Sequence, residues 1–398
     1  MYDSNQLRSL NATGRSSEDV RYSPAGTAGY SRTLGFGTVA VSGLVGHDFF
    51  QNNTNLDRNH FGAGASLNTR AGSRCSAGFN GNYSNRQNGI GSSDIIVPTV
   101  TVPSTGTPIT TVPVATPLPS TDDTLPDDVG RLIDNRQISV VYGGHINCGL
   151  PGGRASFGGA AVRSTLDNGS AVRRFANSNS TSYSLFAGLG VFRPGQLQVN
   201  GSYSTIDYPN RLILPGQTVS PIGLNTGVKI YRAGLSYSRP IGARISGSVG
   251  VSYLRSVPAG GLAPYSAPAY DVSLSYRATP RLSFSALGSR SVLSSTSAGA
   301  LFRVVDLFQL TTNFIVSDTI STHANVGLTA NNYHQPFAIP GEVERRTDSS
   351  KIVGIGASYS PRSLYDVNVQ VSETFRSSNP SIYNYNSTRV SISLSVHV

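Results

Sequence analysis

The sequence has no tryptophan, one methionine and two cysteines in 398 residues. Charged residues make up only 13% of it, about half the usual share. Lysine stands at two positions, Lys229 and Lys351, so arginine carries almost all of the net charge of +10. No run of about 18 apolar residues occurs, which excludes a transmembrane helix. The opening MYDSNQLRSL is polar and lacks the basic-then-apolar order of a secretory leader. An exported protein would therefore have had its leader removed or omitted. Two cysteines without neighbouring histidines exclude a zinc finger. The six histidines, His47, His60, His145, His323, His334 and His397, form no metal-spaced pair. The arginines are spread singly, without the basic stripe of a nucleic-acid binder.

What is abundant is glycine, at 43 residues, together with serine and asparagine. These are poor helix formers. Disorder fits no better, because 19 tyrosines and 15 phenylalanines recur along the chain. The dominant signal is strict alternation, which marks strands with two different faces. In YDVSLSYRA, Tyr270, Val272, Leu274 and Tyr276 oppose Asp271, Ser273, Ser275 and Arg277. In RAGLSYSRPIGARISGSVGVSYLR, Leu235, Tyr237, Val249, Val251 and Tyr253 oppose Arg232, Ser236, Ser246 and Ser248. The same holds in KIVGIGASYS, YDVNVQVSETF and the terminal TRVSISLSVHV. Each alternating run is about ten residues long, the span of a tilted transmembrane strand. Strands of a soluble sandwich are shorter, near five or six residues. The serine-, asparagine- and arginine-rich face cannot form a dry core, since each buried polar group would need a partner. Lipid is the simplest cover for the other face.

Connections alternate in length. Short turns are expected at 33–37, 70–74, 150–154, 193–196, 239–244, 278–281, 316–319 and 360–363. Longer polar loops lie near 50–59, 86–135, 166–180, 207–227, 255–268, 290–300, 332–349 and 376–387. Short turns on one side and long loops on the other are the pattern of an outer-membrane barrel. The expected fold is all-β: one closed antiparallel transmembrane β-barrel over residues 1–398. Counting gives about 18 strands, including a first one in YDSNQLRSL (2–10), with 16 the nearest alternative. Residues 91–133, rich in proline and threonine, form an insert read as an external loop or as a segment folded over the pore.

Alternation assigns Arg70, Arg86, Arg232, Asp271, Arg277, Asp366, Arg376 and Arg389 to the lumen. Such a set either stiffens the wall by ion pairing or favours anionic and hydroxyl-rich solutes, since arginine donates in a fixed fork. Cys75 and Cys148 fall at the short-turn ends of two strands that the insert separates. They are read as a cross-strand disulfide or as two free thiols. Glycines such as Gly188 and Gly190 lie inside strand patterns with no helix after them, which is not a phosphate loop. No catalytic constellation, metal site or cofactor is expected, and the chain is not read as an enzyme.

The stretches YDSNQLRS, SEDV, HDFFQNNTNLDRNHFGAGASL and ASYSPRSLYDVNVQVSETFRSSNPSIYNYNSTRVSISLSV resemble the β-barrel porin type 2 family of Gram-negative bacteria. That resemblance covers the chain apart from the insert. It implies an outer-membrane location and a part in export of surface polysaccharide, and it supplies no site residues. Outer-membrane barrels usually end in an aromatic residue, whereas this chain ends in Val398. The leading expectation is a monomeric porin-like channel with a basic lumen. Its partners would be outer-membrane lipid and lipopolysaccharide, the barrel assembly machinery and polysaccharide export components, with no nucleic acid. A non-conducting barrel that anchors surface glycan or a partner assembly is the second reading. A soluble β-solenoid or fibre adhesin is the third, disfavoured by hairpins of unequal length.

Overall fold

A computed structural model describes residues 2–3, 19–54, 57–88, 135–149, 155–169, 174, 177–190, 195–210, 227–241, 244–259, 264–294, 302–334, 347–361, 365–379 and 384–396. The insert at 91–133, and residues 4–10 of the expected first strand, lie outside the described residues. The strands are β1 (Tyr2–Asp3), β2 (Asp19–Tyr22), β3 (Ala25–Leu34), β4 (Gly37–Phe50), β5 (Arg58–Ala71), β6 (Cys75–Asn88), β7 (Asn135–Gly149), β8 (Ala155–Asn168), β9 (Ser178–Leu189) and β10 (Gln196–Asp207). They continue with β11 (Val228–Ile241), β12 (Ile245–Pro258), β13 (Tyr265–Arg277), β14 (Leu282–Ser294), β15 (Phe302–Ile315), β16 (Ile320–His334), β17 (Thr347–Tyr359), β18 (Tyr365–Ser378) and β19 (Tyr385–Val396).

Every strand from β3 to β19 pairs antiparallel with its neighbours in sequence. The pairing then returns on itself: β1 joins β19 to β2, and β2 pairs with β4. These two-residue bridges close the ring at the long-loop end; among the described residues Ala25–Leu34 of β3 pairs only with β4, and Ser391–Val396 of β19 only with β18. Strands β2 and β3 share the partner β4 and form one pass, interrupted at Ser23 and Pro24. Pro24 has no N–H for a ladder, but its carbonyl accepts the His47 amide. Counted that way there are eighteen passes. From β4 to β19 each strand has 12 to 15 residues, longer than a globular strand.

The turns follow local chemistry. Gly72 takes φ 78° between β5 and β6, a conformation that costs glycine little. The Thr279 hydroxyl accepts the amides of Arg281 and Leu282, closing the turn between β13 and β14. Ser317 does the same for Thr319 and Ile320 before β16.

Register aligns like with like across the sheet. Leu235 faces Val251, which faces Tyr270; Ser238 faces Ser248, which faces Ser273. The apolar face is open, with Leu185 71%, Val251 60% and Ile355 64% exposed. The polar face holds most of the buried polar side chains, among them Asn135, Gln137, Ser256, Asp348 and Arg376. Side chains converge on the concave side of a ring and diverge on the convex side. The polar face is therefore the lumen and the apolar face the outer wall.

One seam departs from the regular ladder. Pairing between β13 and β14 stops at Asp271 and Ser289, while β12 and β15 go on pairing beyond it. Pro268 lies in the unpaired part and has no amide to offer. Side chains fill the wedge: Val228, Leu254, Ala269, Val292, Phe302 and Val304 cluster there, with Tyr265 packed on Phe302.

Cys75 and Cys148 are register partners at the short-turn end of β6 and β7, and their sulfurs are bonded. This disulfide spans 73 residues, insert included. Loop-closure entropy for that length gives an upper bound of about 4 kcal/mol. The double variant Cys75→Ser/Cys148→Ser should still form a barrel. Its unfolding midpoint in denaturant should fall to that of the reduced wild-type protein, as followed by tyrosine fluorescence.

Candidate functional site

The lumen wall is built by alternation. The residues of β11 that face inward are Val228, Ile230, Arg232, Gly234, Ser236 and Ser238, and serine, asparagine and glutamine dominate the same face of β6, β9, β10 and β18. All eight residues assigned to the lumen share this face by register. Arg70 lies opposite Ser76, Arg86 opposite Gln137, Arg277 opposite Ser283 and Arg389 opposite Ser372. They do not converge on one centre. They are distributed round the ring, and most are tied to neighbours.

Arg232 is held at both ends of its fork. Its Nη2 donates to Asp271 Oδ1 at 2.7 Å, and its Nε donates to Ser252 Oγ at 2.7 Å. One guanidinium thus crosses from β11 over β12 to β13. Gly250, the register partner of Asp271, makes the crossing feasible. A Cβ there would come within 2.2 Å of the Asp271 carboxylate.

Nearer the long loops, Arg376 donates to Asp348 at 2.5 Å, and the Ser378 hydroxyl donates to the other carboxylate oxygen at 2.5 Å. The Arg376 guanidinium also lies 5.9 Å from the Tyr385 ring centre. Arg376 is 9% and Asp348 3% exposed, so this pair is buried between β17, β18 and β19. Asp366, at the opposite end of the lumen, accepts the Ser360 hydroxyl.

Several groups at the mouth went unassigned in the sequence. Asp19 accepts the amides of Val20, Asn52 and Asn53 and the Asn53 side chain. Asp57 accepts the Phe50 amide. Together they fasten the β4–β5 loop to β2. The resemblance stretches SEDV and QNNTNLD contain Asp19, Asn52, Asn53 and Asp57, but nothing in their spacing declares a loop clamp. Asn135, Gln137, Asn168 and Asn177 form an amide cluster over β7, β8 and β9. Ser23, Asp48 and His60 also meet here. The Ser23 hydroxyl donates to Asp48, and His60 Nδ1 lies 3.5 Å from the same carboxylate. The carboxylate sits between serine and imidazole, so the hydroxyl lacks the base that nucleophile activation requires.

Chemically, the lumen offers fixed guanidinium donors, hydroxyls and amides in rows. That set suits weak, repeated contacts to anions and hydroxyl groups.

No family model matches the chain, and no curated protein matches it. Solved structures do. The FrpB iron transporter from Neisseria meningitidis, in its F5-1 variant apoprotein form, superposes with a TM-score of 0.53 at 10% identity, over 96% of this chain and 64% of that one. The siderophore receptor PirA from Acinetobacter baumannii gives 0.47 at 8% identity, over 99% of this chain and 72% of that one. The chain thus spans about two thirds of the length of these proteins. The first of these likenesses shows the fold: a β-barrel of the outer-membrane class.

The buried Arg376–Asp348 pair gives a test. Asp348→Ala strands a buried guanidinium and should cost about 3 kcal/mol. Asp348→Leu combined with Arg376→Met should recover most of that loss. Denaturant midpoints of barrels in detergent check both.

Proposed function

We propose that this protein is a monomeric outer-membrane channel that passes anionic or hydroxyl-rich solutes through its lumen, surface polysaccharide among them. One observation carries the reading. A closed ring presents an apolar outer wall and, inside, arginine donors spread along a polar wall. An outer face of tyrosine, valine and leucine at this exposure is suited to hydrocarbon. A ring of eighteen passes is as wide as those that enclose an aqueous channel. The barrel fold shared with a protein named as an iron transporter supports transport in the coarse sense. The resemblance to the β-barrel porin type 2 family supports polysaccharide as the cargo.

Selectivity would come from weak attraction at many points. Arg70 and Arg277 are exposed in the lumen and near the short-turn end, at the exit or entry of the path. Arg232 is partly neutralised by Asp271 and serves as a fixed hydrogen-bond donor. An ion or sugar hydroxyl moving along the wall exchanges one donor for the next without a deep well, as conduction requires.

Planar bilayers test this. The wild-type protein should conduct with anion preference, and an acidic polysaccharide should reduce the current from one side. Arg70→Gln with Arg277→Gln should lower the anion-to-cation permeability ratio about twofold or more. A folded barrel with no conductance would favour the scaffold that anchors glycan.

A further inference from the structure

The outer wall carries a second chemistry, concentrated toward one end, with Arg32 and Arg239 facing outward near the other. Register puts Arg163, Lys229, Arg255, Arg290 and Lys351 on the same face as Tyr183, Tyr231, Tyr253, Phe308 and Val353. Each lies in the half of its strand nearer the long loops. Both lysines of the chain are in this belt. Four carboxylates share it, Asp167, Asp207, Asp306 and Glu373. Asp306 is occupied: Arg290 holds it through two bonds of 2.7 and 2.9 Å, and the Tyr270 hydroxyl adds a third at 3.3 Å.

Beside that cluster the wall is grooved. Phe308, Leu328 and Ala330 form the floor, Tyr270 and Asp306 one bank and Lys351 the other, enclosing about 250 Å³. Lys351 is exposed and has no ion-pair partner among the described residues. Its register partners on either side are Leu328 and Phe375, so its charge stands over an apolar surface. A lone cation is costly at the bilayer midplane but not near the headgroups. Lysine is also a compact phosphate partner, acting as a point charge.

We propose that this groove binds a phosphate-bearing glycolipid of the outer leaflet. Its phosphate would meet Lys351, its sugar hydroxyls Tyr270 and Ser349, and an acyl chain would lie along Phe308 and Leu328. Charge complementarity selects the occupant. The groove combines an unpaired cation, hydroxyl groups and an apolar floor, which together match an amphiphile with phosphate, sugar and hydrocarbon. A second protein would need a wider contact than this trough provides. The proposal rests on the outer-membrane reading above.

The test uses the full chain in detergent micelles, with native mass spectrometry as readout and diphosphoryl lipid A as probe. Heat-dependent gel mobility of the same samples reports whether the barrel has formed. Lipid A should bind about tenfold more tightly than its phosphate-free analogue. Lys351→Gln should remove about that factor, and Lys351→Arg should restore most of it. Lys229→Gln, on the same belt but outside the groove, should change affinity by less than about twofold. Inorganic phosphate alone should not compete, because it lacks the acyl chain. The site is refuted if a formed barrel binds both lipids equally, or if Lys229→Gln loses as much as Lys351→Gln. The membrane reading itself fails if no heat-modifiable barrel forms in any detergent.

Discussion

A strand in hydrocarbon has no water to satisfy its backbone, so each N–H and C=O must find a partner in the neighbouring strand. That requirement governs the rest of this structure. It explains why consecutive strands pair from β3 to β19 and the pairing returns through β1 and β2. The return is slender: among the described residues, Tyr2 and Asp3 bridge Val390 and Arg389 of β19 to Val20 and Asp19 of β2. Where a ladder is interrupted, other groups take over. The Pro24 carbonyl still accepts an amide, and the wedge between β13 and β14 is packed with aromatic and aliphatic side chains.

Once the ring closes, residue parity divides the sequence into two surfaces. A one-residue slip would exchange the two faces of every strand. The lumen can then hold charge at modest cost, because each charge finds a polar neighbour one or two strands away. Arg232 shows how closely sequence and site are linked. Its reach to Asp271 depends on Ser252 as a bonding partner and on Gly250 as empty space. The functional property, a donor fixed in a conduit, belongs to three strands jointly.

Much of this was legible in the sequence. Period-two alternation is a local signal, so it located most of the strands. The expected short turns at 33–37, 70–74, 278–281 and 316–319 fall at breaks between strands, while those at 150–154, 193–196, 239–244 and 360–363 lie wholly or partly outside the described residues. What escaped depends on partners distant in sequence. Asp348 lies 28 residues from Arg376, and Asp19 lies 34 from Asn53. Neither pairing leaves a mark on local periodicity. The outer belt escaped for another reason. Arginine and lysine at outward positions look like lapses in the alternation until the strands are aligned and most of them fall toward one end. The likeness to solved barrels, at 10% identity, reflects the same economy: the pattern of faces is shared while the residues are not.

The central claim is that one face of each strand meets lipid and the other meets water. It is tested most directly by spin labels placed one at a time at residues 246–253 of β12, on a background free of Cys75 and Cys148. Accessibility to oxygen, which concentrates in hydrocarbon, is compared with accessibility to a water-soluble nickel chelate. The account predicts a period of two. Labels at Val249, Val251 and Tyr253 should favour oxygen, and labels at Ser246, Ser248 and Ser252 the chelate. Uniform accessibility along the strand, or oxygen preference on the serine face, would contradict it.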